Sequence, residues 1–256
     1  MTGTPLKVSL DRHAGLLRLR LARPKANIVD AAMISALNDA FAAHRNPGPL
    51  RAALIEAEGP HFSFGASVEE HLPAQCAAML KGLHGLLVAM LEWPRPILFA
   101  VHGQCLGGGL ELALAGSLIF AAKDAQFGQP EMKLGVFAPA ASCLLPFRVN
   151  QPAAEDLLFS GRSLNADEAK SAGLVHSVTD DAEAAALAYF DQHLAPKSAA
   201  SLGFAVRAAR EGMLSEVKRR IAAVEKLYLE GLMTTRDANE GLNAFIAKRQ
   251  PVWEHV

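Results

Sequence analysis

Residues 100–136 read AVHGQCLGGGLELALAGSLIFAAKDAQFGQPEMKLGV, and this stretch carries the strongest fold signal in the chain. The apolar segment Pro96–Val101, which runs into it, predicts a buried strand. Residues 102–106 are predicted to turn out of this strand into Gly107-Gly108-Gly109, which opens a predicted helix, Leu110–Ala115. The apolar segment Ser117–Ala121 predicts a second strand. Short strands that alternate with helices are typical of an α/β fold and permit a parallel sheet.

The glycine run at this strand–helix junction has two interpretations. Consecutive glycines let a bulky ligand approach the backbone, and the free N–H groups at the start of a helix favour negative charge. The same glycines are also explained by a tight turn or by close packing of the strand against the helix. A dinucleotide site is excluded because GQCLGGGLE is not GxGxxG, and a P-loop is excluded because no Gly-Lys-Ser/Thr occurs.

Two glutamates flank the second predicted strand. Glu111 lies in the first helical turn after the glycines, where it could simply cap the helix. Glu131 lies in the loop FGQPEMKLG, where it could be a solvated carboxylate. If the two side chains meet across a cleft, they can divide the roles of general acid and general base. Their separation of 20 residues does not by itself establish that they meet.

Other kinds of catalytic site find little support in the sequence. There is no G-x-S-x-G elbow, and the nine histidines show no HExxH spacing, so we predict no metal site. Cys105 near His102 could form a thiol–imidazole pair, but a small buried cysteine at the end of a strand is commonplace. Gly65-Ala66-Ser67 could present a backbone N–H group to a ligand or form an ordinary turn.

The remaining segments predict a mixed α/β region followed by helices. Lys7–Asp11 and Leu16–Leu21 form a predicted hairpin. Asp30 caps a predicted helix over Ala31–Ala43, which Pro47-Gly48-Pro49 ends. The further predictions are strands at Arg51–Glu56 and Leu174–Val178, a loop with short helical turns at Gln126–Pro139, and helices at Pro73–Leu91, Ala140–Val149, Ala153–Ser160, Ala166–Ala172, Asp181–Leu194, Ser198–Glu211, Ser215–Leu232 and Asp237–Lys248.

Length, composition and charge describe a soluble globular protein. The 256 residues are 51% apolar and 20% charged, which is sufficient for a sizeable core. Twenty-five basic and 26 acidic side chains leave a formal charge of −1, which argues against binding to nucleic acid or to an anionic membrane surface. Three cysteines without CxxC spacing indicate reduced thiols. The N-terminus has no signal-peptide pattern and no apolar run reaches about 18 residues, so we expect a cytoplasmic protein without a membrane span.

Five segments of the chain resemble the enoyl-CoA hydratase/isomerase (crotonase) superfamily. Besides residues 100–136, they are ARPKANIVD (22–30), HFSFGAS (61–67), FSGRSLNADEAKSAGLV (159–175) and RDANEGLNAFIAKRQPVW (236–253). The resemblance implies an α/β fold of the crotonase (ClpP-like) type, a spiral of ββα turns. It also implies a core domain at 1–195 that binds coenzyme A and the acyl group, and a C-terminal helical oligomerisation region at 196–256. Homotrimers are implied, or homohexamers formed as dimers of trimers.

The resemblance implies a reaction as well as a fold. Members of the superfamily stabilise the enolate of a coenzyme A thioester with two backbone N–H groups, which correspond here to those of Ala66 and Gly108. The two catalytic glutamates that hold the reacting water in hydratases correspond to Glu111 and Glu131. Because both are present, the resemblance favours a hydratase, which is a lyase, over an isomerase. No separate cofactor is implied, since coenzyme A is part of the substrate.

Substrate-binding residues are implied in the same way. The coenzyme A contacts correspond to Arg23, Lys25, Ala26, Ala66, Phe245 and Lys248, the last two often reaching the site from a neighbouring subunit. The acyl pocket corresponds to Phe64, Val136, Phe137 and Pro139. The lysine-rich helix of RNA-binding relatives is missing from this sequence, so neither nucleic acid nor membrane is expected as a partner.

Two departures from the straight-chain hydratases narrow the expected substrate. Ser67 follows the oxyanion alanine where those enzymes usually carry aspartate, and Pro139 replaces a glycine that helps to position water. These two features and residues 27–30 together give the sequence a resemblance to the alicyclic dienoyl-CoA hydratases. Those enzymes add water to cyclohexa-1,5-diene-1-carbonyl-CoA in aromatic-acid degradation. The alternatives are a straight-chain enoyl-CoA hydratase or isomerase of fatty-acid oxidation, or a thioester hydrolase. The sequence alone decides neither the acyl group nor the stereochemistry.

Overall fold

Two β-sheets organise the residues that the computed structural model describes, 4–46 and 48–256. Their strands are β1 (Leu6–Asp11), β2 (Leu16–Leu21), β3 (Ala52–Ala57), β4 (Ile97–Val101), β5 (Gln104–Leu106), β6 (Leu118–Ala122), β7 (Gln126–Gly128), β8 (Ser163–Asn165) and β9 (Ser177–Thr179). The larger sheet has the order β1-β2-β3-β4-β6-β9, in which β1 is antiparallel to β2 and all other neighbours are parallel. The smaller sheet has the order β5-β7-β8.

Helices cover both faces of the larger sheet and form the C-terminal part of the chain. They are α1 (Ala31–Ala43), α2 (Cys76–Glu92), α3 (Gly108–Leu114), α4 (Pro139–Leu144), α5 (Gln151–Ser160), α6 (Ala166–Ser171), α7 (Ala182–Tyr189), α8 (Ala199–Lys226) and α9 (Arg236–Ile246). The prediction for α1 is confirmed, since the Asp30 side chain accepts the N–H of Met33 over 2.9 Å as an N-cap. Pro47, predicted to help end this helix, lies outside the described residues.

The central strands β3 and β4 are buried on both faces, which explains why they are apolar without alternation. Along β4, Ile97, Phe99 and Val101 face the core that includes α1, α2 and α3. Leu98 and Ala100 face a second core built with α7 and the π-helical turn that follows it. The α/β prediction is confirmed, and the parallel arrangement that the sequence only permitted is the one formed.

Three short strands were missed by the sequence analysis. Gln104–Leu106 was predicted as a turn and Gln126–Gly128 as part of a loop, but both are strands, and Ser163–Asn165 is a third. Each has three residues, too few to show a period-2 pattern. Together they form the smaller sheet, which fixes the residues on either side of the glycine run.

Two helices were predicted, Ser198–Glu211 and Ser215–Leu232. This prediction is wrong, because one continuous helix, α8, runs through Gly212. A side chain at Gly212 would meet no atom within 4 Å, so this glycine marks an open surface position and not a break. The prediction of one helix over Ala140–Val149 is also wrong. α4 ends at Leu144, and a 3-10 turn containing Pro146 follows it.

The C-terminal helices pack against the same chain. α8 contacts α2 and α4. The π-helical turn Leu227–Gly231 after α8 buries Tyr228, which packs in one apolar cluster with Cys76, Val136 and Leu242. The region predicted to mediate oligomerisation therefore also contributes to the wall around residue 136.

Candidate active site

The segment Gly65-Ala66 lies against the glycine run that precedes α3. A Cβ atom at Gly65 would stand 3.2 Å from the nitrogen of Gly108 and 2.9 Å from a neighbouring carbonyl oxygen. Gly65 also has a φ of +101°, a conformation that favours glycine. An isolated β-bridge between Ser63 and Cys105 holds the two segments in register. The glycine at position 65 is therefore required by both its conformation and its close neighbours.

The backbone N–H groups of Ala66 and Gly108 are adjacent and free. A Cβ atom at Gly108 would stand 3.0 Å from the nitrogen of Ala66. Within the described part of the chain neither N–H donates a hydrogen bond, whereas those of Gly65, Gly107 and Glu111 all have acceptors. Two free donors on neighbouring segments, one of them at a helix start, can bind a single oxygen that carries negative charge.

Glu131 lies over the same glycine run. It belongs to the 3-10 turn Pro130–Leu134, and a Cβ atom at Gly107 would stand 2.7 Å from Glu131 Oε1. In the amide orientation that satisfies both side chains, buried Gln129 donates to Oε1 and Oε2 of Glu131 over 3.1 and 3.0 Å. The carboxyl group is thus held beside the two free donors. Gln129 was not predicted as a site residue from the sequence, although Gln129 lies only two positions from Glu131.

Glu111 reaches the site from α3. Its side chain is buried, and its Oε1 accepts the backbone N–H of Ala141 over 2.8 Å. Ala141 belongs to the first turn of α4, which begins at Pro139, a residue without an N–H group. The carboxyl group therefore binds the start of the next helix and does not cap its own helix, which was the alternative that the sequence left open.

The two carboxyl groups influence each other's protonation. Burial raises the pKa of Glu111 above its ordinary value, while the Ala141 N–H and the nearby charge of His84 oppose the rise. Burial, and then the negative charge of Glu111, raise the pKa of Glu131 to about 8. Two carboxyl groups coupled in this way can hold different protonation states, so the pair can supply one acid and one base. His84, hydrogen-bonded to Glu225 over 2.8 Å, was not anticipated from sequence.

The raised pKa of Glu131 predicts how stability depends on pH. The folded state binds this proton more tightly than the unfolded chain does, so the resulting stabilisation is complete below the ordinary pKa of 4.5 and is lost as pH rises through about 8. We expect Glu131→Gln, which cannot ionise, to gain stability relative to the parent across this range. Urea unfolding at pH 5, 7 and 9 measures the difference.

Glu240→Gln is the control for this measurement. Arg249 is the main cause that lowers the pKa of Glu240 to about 2, so its titration lies below the tested range. Its stability relative to the parent should therefore stay constant from pH 5 to pH 9. A Glu131→Gln difference that is equally constant would contradict the raised pKa.

The predicted coenzyme A loop, residues 22–30, packs on the segment that carries Ala66. The Phe64 N–H donates to the carbonyl oxygen of Ala26 over 2.9 Å. Asn27 is buried with a φ of +45°, and its side-chain nitrogen donates to two carbonyl oxygens. The structure thus brings Ala26 next to the free donor pair, and it assigns to Asn27 a structural role that the sequence analysis missed.

The two basic residues of this loop differ in their surroundings. Arg23 forms an ion pair with Asp30, the residue that caps α1. Lys25 is exposed, and among the described residues it has no ion-pair partner. Lys25 is therefore the more available of the two positive charges.

Two of the four predicted acyl-pocket residues, Val136 and Pro139, lie next to backbone contacts of the two glutamates. Val136 is buried, and its N–H donates to the carbonyl oxygen of Glu131 over 3.2 Å. Pro139 is buried at the start of α4, beside the Ala141 N–H that binds Glu111. The other two are aromatic: Phe64 is 43% exposed, and Phe137 packs edge-on against Tyr228 at 5.3 Å.

Other predicted features do not join this group. Phe245 and Lys248 are exposed near the end of α9 in the single chain. His102 binds the carbonyl oxygen of Gly59, and burial raises the pKa of the Cys105 thiol, which argues against a reactive thiol–imidazole pair. In residues 4–46 and 48–256 no three His, Cys, Asp or Glu side chains are grouped to hold a metal ion. A cavity of about 670 Å³ between β4, β6 and α8 shares no residue with the candidate site.

The sequence of this chain is similar to those of known proteins. The sequence profile of the enoyl-CoA hydratase/isomerase family matches residues 11–256. The chain belongs to this family. Its sequence is 62% identical over 252 residues to cyclohexa-1,5-dienecarbonyl-CoA hydratase of Thauera aromatica, with 98% of each chain covered. It is 33% identical over 253 residues to carnitinyl-CoA dehydratase of Salmonella paratyphi A, with 96% of this chain and 97% of the relative covered.

Solved structures of family members have the same fold. An enoyl-CoA hydratase/isomerase from Pseudoalteromonas atlantica T6c superposes with a TM-score of 0.84 at 30% identity, covering 97% of this chain and 99% of that one. Carnitinyl-CoA hydratase from Mycobacterium avium superposes with a TM-score of 0.86 at 27% identity over 100% of both chains. The predicted family and its α/β fold are confirmed. None of the helices in the described parts of the chain combines the length and the apolar character needed to cross a bilayer.

Proposed function

We propose that this enoyl-CoA hydratase/isomerase family member is a hydratase, which adds water to a double bond conjugated with an acyl-CoA thioester. The proposal is carried by one observation, that two buried carboxyl groups, Glu111 and Glu131, adjoin the glycine run that carries two free backbone N–H donors. An isomerase needs only one proton carrier, whereas hydration needs a base for water and an acid for carbon. The presence of both Glu111 and Glu131 therefore favours hydration.

In the proposed reaction the thioester oxygen accepts hydrogen bonds from the N–H groups of Ala66 and Gly108. The ionised carboxyl group, Glu111, takes a proton from water as the water oxygen bonds to carbon, and the electrons move onto the thioester oxygen to form an enolate. The protonated carboxyl group, Glu131, then delivers its proton to carbon as the enolate collapses. The raised pKa of Glu131 suits it to hold this proton at neutral pH. No separate cofactor takes part.

The proposed substrate is cyclohexa-1,5-diene-1-carbonyl-CoA, in the degradation of aromatic acids. Identity of 62% to a hydratase named for this substrate supports the assignment. The pocket residues support it too, since Phe64, Val136, Phe137 and Pro139 present apolar surface to an alicyclic ring. Ser67, in place of a carboxylate, donates to Glu69 over 2.9 Å and adds no charge beside Ala66.

Purified protein offered the cyclic dienoyl-CoA and, separately, crotonyl-CoA tests this proposal. We expect the cyclic substrate to gain the mass of one water and to lose the absorbance of its conjugated diene, without release of free thiol. Faster hydration of crotonyl-CoA would instead indicate a straight-chain hydratase. A product of unchanged mass would indicate an isomerase, and released thiol would indicate a thioester hydrolase.

Coenzyme A binding is proposed at the loop of residues 22–30 and at the end of α9. Lys25 and Arg23 would contact phosphates, Ala26 and Ala66 would present backbone groups, and the exposed Phe245 and Lys248 would contact the adenosine end. The packing of this loop on the Ala66 segment supports the proposal, because a phosphate chain bound there leads to the thioester oxygen.

Replacing Lys25 with alanine tests the phosphate site. Because an exposed charge acts mainly on binding, we expect KM for acyl-CoA to rise several-fold while kcat changes less. The effect should shrink in 0.5 M salt, where exposed ion pairs are screened. Arg23→Ala should add to it, together with a loss of stability from the broken ion pair with Asp30.

Lys197→Ala is the matched control for Lys25→Ala. Lys197 is also exposed, but its carbonyl oxygen binds Arg51 at the start of β3. The loop of residues 22–30 follows the C-terminal end of β2, and Lys197 is bound near the N-terminal end of β3. Because β2 and β3 are parallel, the two lysines lie at opposite ends of these strands. Equal KM values for the Lys25→Ala variant and the parent would place the phosphates elsewhere.

Assembly into homotrimers, or homohexamers made from two trimers, completes the proposal. The chain exposes large apolar side chains, among them Phe159, Phe204 and Phe245, which favours burial against another copy. The same proposal divides the chain into a core at 1–195 and an oligomerisation region at 196–256. A monomer mass, measured by light scattering at micromolar protein concentration, would contradict assembly. A cytoplasmic location is supported by three free, buried cysteines.

A further inference from the structure

The phenol of Tyr228 is a buried polar group that the proposed mechanism does not use. Tyr228 has no exposed surface, and its hydroxyl has no hydrogen-bond partner among the described residues. A buried hydroxyl without a partner is costly, and in a native protein it calls for a specific explanation. Tyr228 lies in the π-helical turn Leu227–Gly231, a type of distortion often found at functional sites.

Tyr228 packs with two of the predicted acyl-pocket residues and lies within electrostatic reach of the two glutamates. Its ring packs edge-on against Phe137 at 5.3 Å, and both belong to the apolar cluster that contains Val136 and touches Ala66. Burial raises the pKa of the phenol, and the nearby Cys76, Glu131 and Glu111 raise it further. The hydroxyl is therefore protonated at neutral pH and can donate a hydrogen bond.

Most other donors around the two carboxyl groups are already used; the exception is the buried Nε2 of His84, which has no partner among the described residues. Pro139 begins α4 without an N–H group, the N–H of Ala141 binds Glu111, and the N–H of Ala140 also faces the Glu111 carboxyl group. The Gln129 amide binds Glu131. The N–H groups of Ala66 and Gly108 serve the thioester oxygen in the proposed mechanism. The proton of Glu131 is delivered to carbon in the proposed mechanism. The oxygen of a water molecule bound to Glu111 would thus need a donor that is still free, and the Tyr228 hydroxyl belongs to the same apolar cluster as Val136 and Ala66.

We propose that the Tyr228 hydroxyl donates a hydrogen bond to the oxygen of the water that is added, and to the new hydroxyl group of the product. This inference rests on the proposed hydratase function. Tyr228 transfers no proton: one carboxyl group takes the proton of water, and the other gives a proton to carbon, as described above. The phenol fixes the water oxygen during attack, and in the reverse reaction it stabilises the departing hydroxide.

Comparing the affinities of Tyr228→Phe for two ligands tests this inference. The ligands are the hydroxyacyl-CoA product and the corresponding saturated acyl-CoA, which lacks the hydroxyl group. Phenylalanine keeps the ring that packs on Phe137 and removes only the donor. We expect the affinity for the hydroxyacyl-CoA to fall on the order of tenfold, the size of one buried hydrogen bond, while the affinity for the saturated acyl-CoA stays the same. We also expect kcat to fall by about ten- to a hundredfold with little change in KM.

Tyr189→Phe is the matched control, because Tyr189 is the other tyrosine of the chain. Its ring packs against Phe120, His176 and His193, away from the carboxyl pair. This variant should therefore change the affinity for neither ligand. Stability gives a separate check. Removing an unpartnered buried hydroxyl should leave the Tm of ligand-free Tyr228→Phe unchanged or higher, whereas a hydroxyl with a structural partner would make it fall.

Equal affinity changes for both ligands, or none, would overturn the inference. If Tyr228→Phe does not fold, a crystal structure of the parent with the hydroxyacyl-CoA decides the question, since the Tyr228 oxygen must lie within 3.2 Å of the product hydroxyl. Failure of the proposed function has a different signature, because the parent itself would then hydrate no enoyl- or dienoyl-CoA.

Discussion

Glu131→Gln is expected to lower kcat for hydration by roughly 10²- to 10⁴-fold, the usual contribution of a positioned acid or base. Glutamine is nearly isosteric, so the variant should fold and bind acyl-CoA, but it cannot deliver a proton to carbon. The loss follows from the position of the carboxyl group over Gly107, beside the free N–H donors. Steady-state hydration rates, with acyl-CoA affinity measured separately, give the result.

The companion variant Glu111→Gln separates hydration from isomerisation. In a hydratase it should lose a comparable factor, because Glu111 activates the water, and the double variant should lose far less than the product of the two factors. In an isomerase Glu111→Gln would keep most of its rate while Glu131→Gln would lose it. Glu211→Gln, on the exposed side of α8, is the control and should match the parent. Near-parental hydration by Glu131→Gln would overturn the mechanism.

Gly108→Val is expected to abolish turnover while the fold is kept. A Cβ atom at this position would stand 3.0 Å from the nitrogen and 3.3 Å from the Cβ of Ala66, so the branched valine side chain would fill the space between the two free N–H groups. Loss of one such donor costs about 10²- to 10³-fold in kcat, and a blocked site costs at least as much. Circular dichroism and thermal unfolding confirm folding, and hydration rates give the outcome.

Gly85→Val is the control for the loss of a helical glycine. Gly85 is exposed in α2, and an added Cβ atom would meet no atom within 4 Å. This variant should therefore keep both its stability and its rate. The smaller change Gly108→Ala should show an intermediate loss, because a single methyl group meets Ala66 more closely than ordinary van der Waals contact. Full activity in a folded Gly108→Val protein would remove this pair of donors from the mechanism.

The success of the secondary-structure prediction depended on the length of each element. Ala31–Ala43 was predicted with its exact ends because an apolar stripe and an Asp30 cap identify it locally. β4 was recognisable as a continuous apolar run. The three-residue strands carried no such pattern, and Gly212 looked like a helix end although the helix continues through it. Those cases were decided by pairing with distant strands and by packing of α8 on α2 and α4.

The candidate site was predictable where chemistry follows from residue type and motif. Ala66, Gly108, Glu111 and Glu131 were all named from sequence, through their resemblance to a family. Three further polar groups were not named, because nothing in their neighbourhood along the chain marks them. Gln129 was overlooked beside Glu131, while His84 and Tyr228 lie on helices far along the chain from both glutamates.

The sequence by itself determined the kinds of element and the kinds of chemical group, because these depend on interactions among residues a few positions apart. Only the tertiary structure decided which groups meet. Gly65 contacts Gly108, Glu111 binds Ala141, and Tyr228 packs in one cluster with Val136. Burial of the two glutamates beside each other raises the pKa of both, which no local pattern encodes. Such contacts depend on how strands and helices pack, and packing is a property of the whole chain.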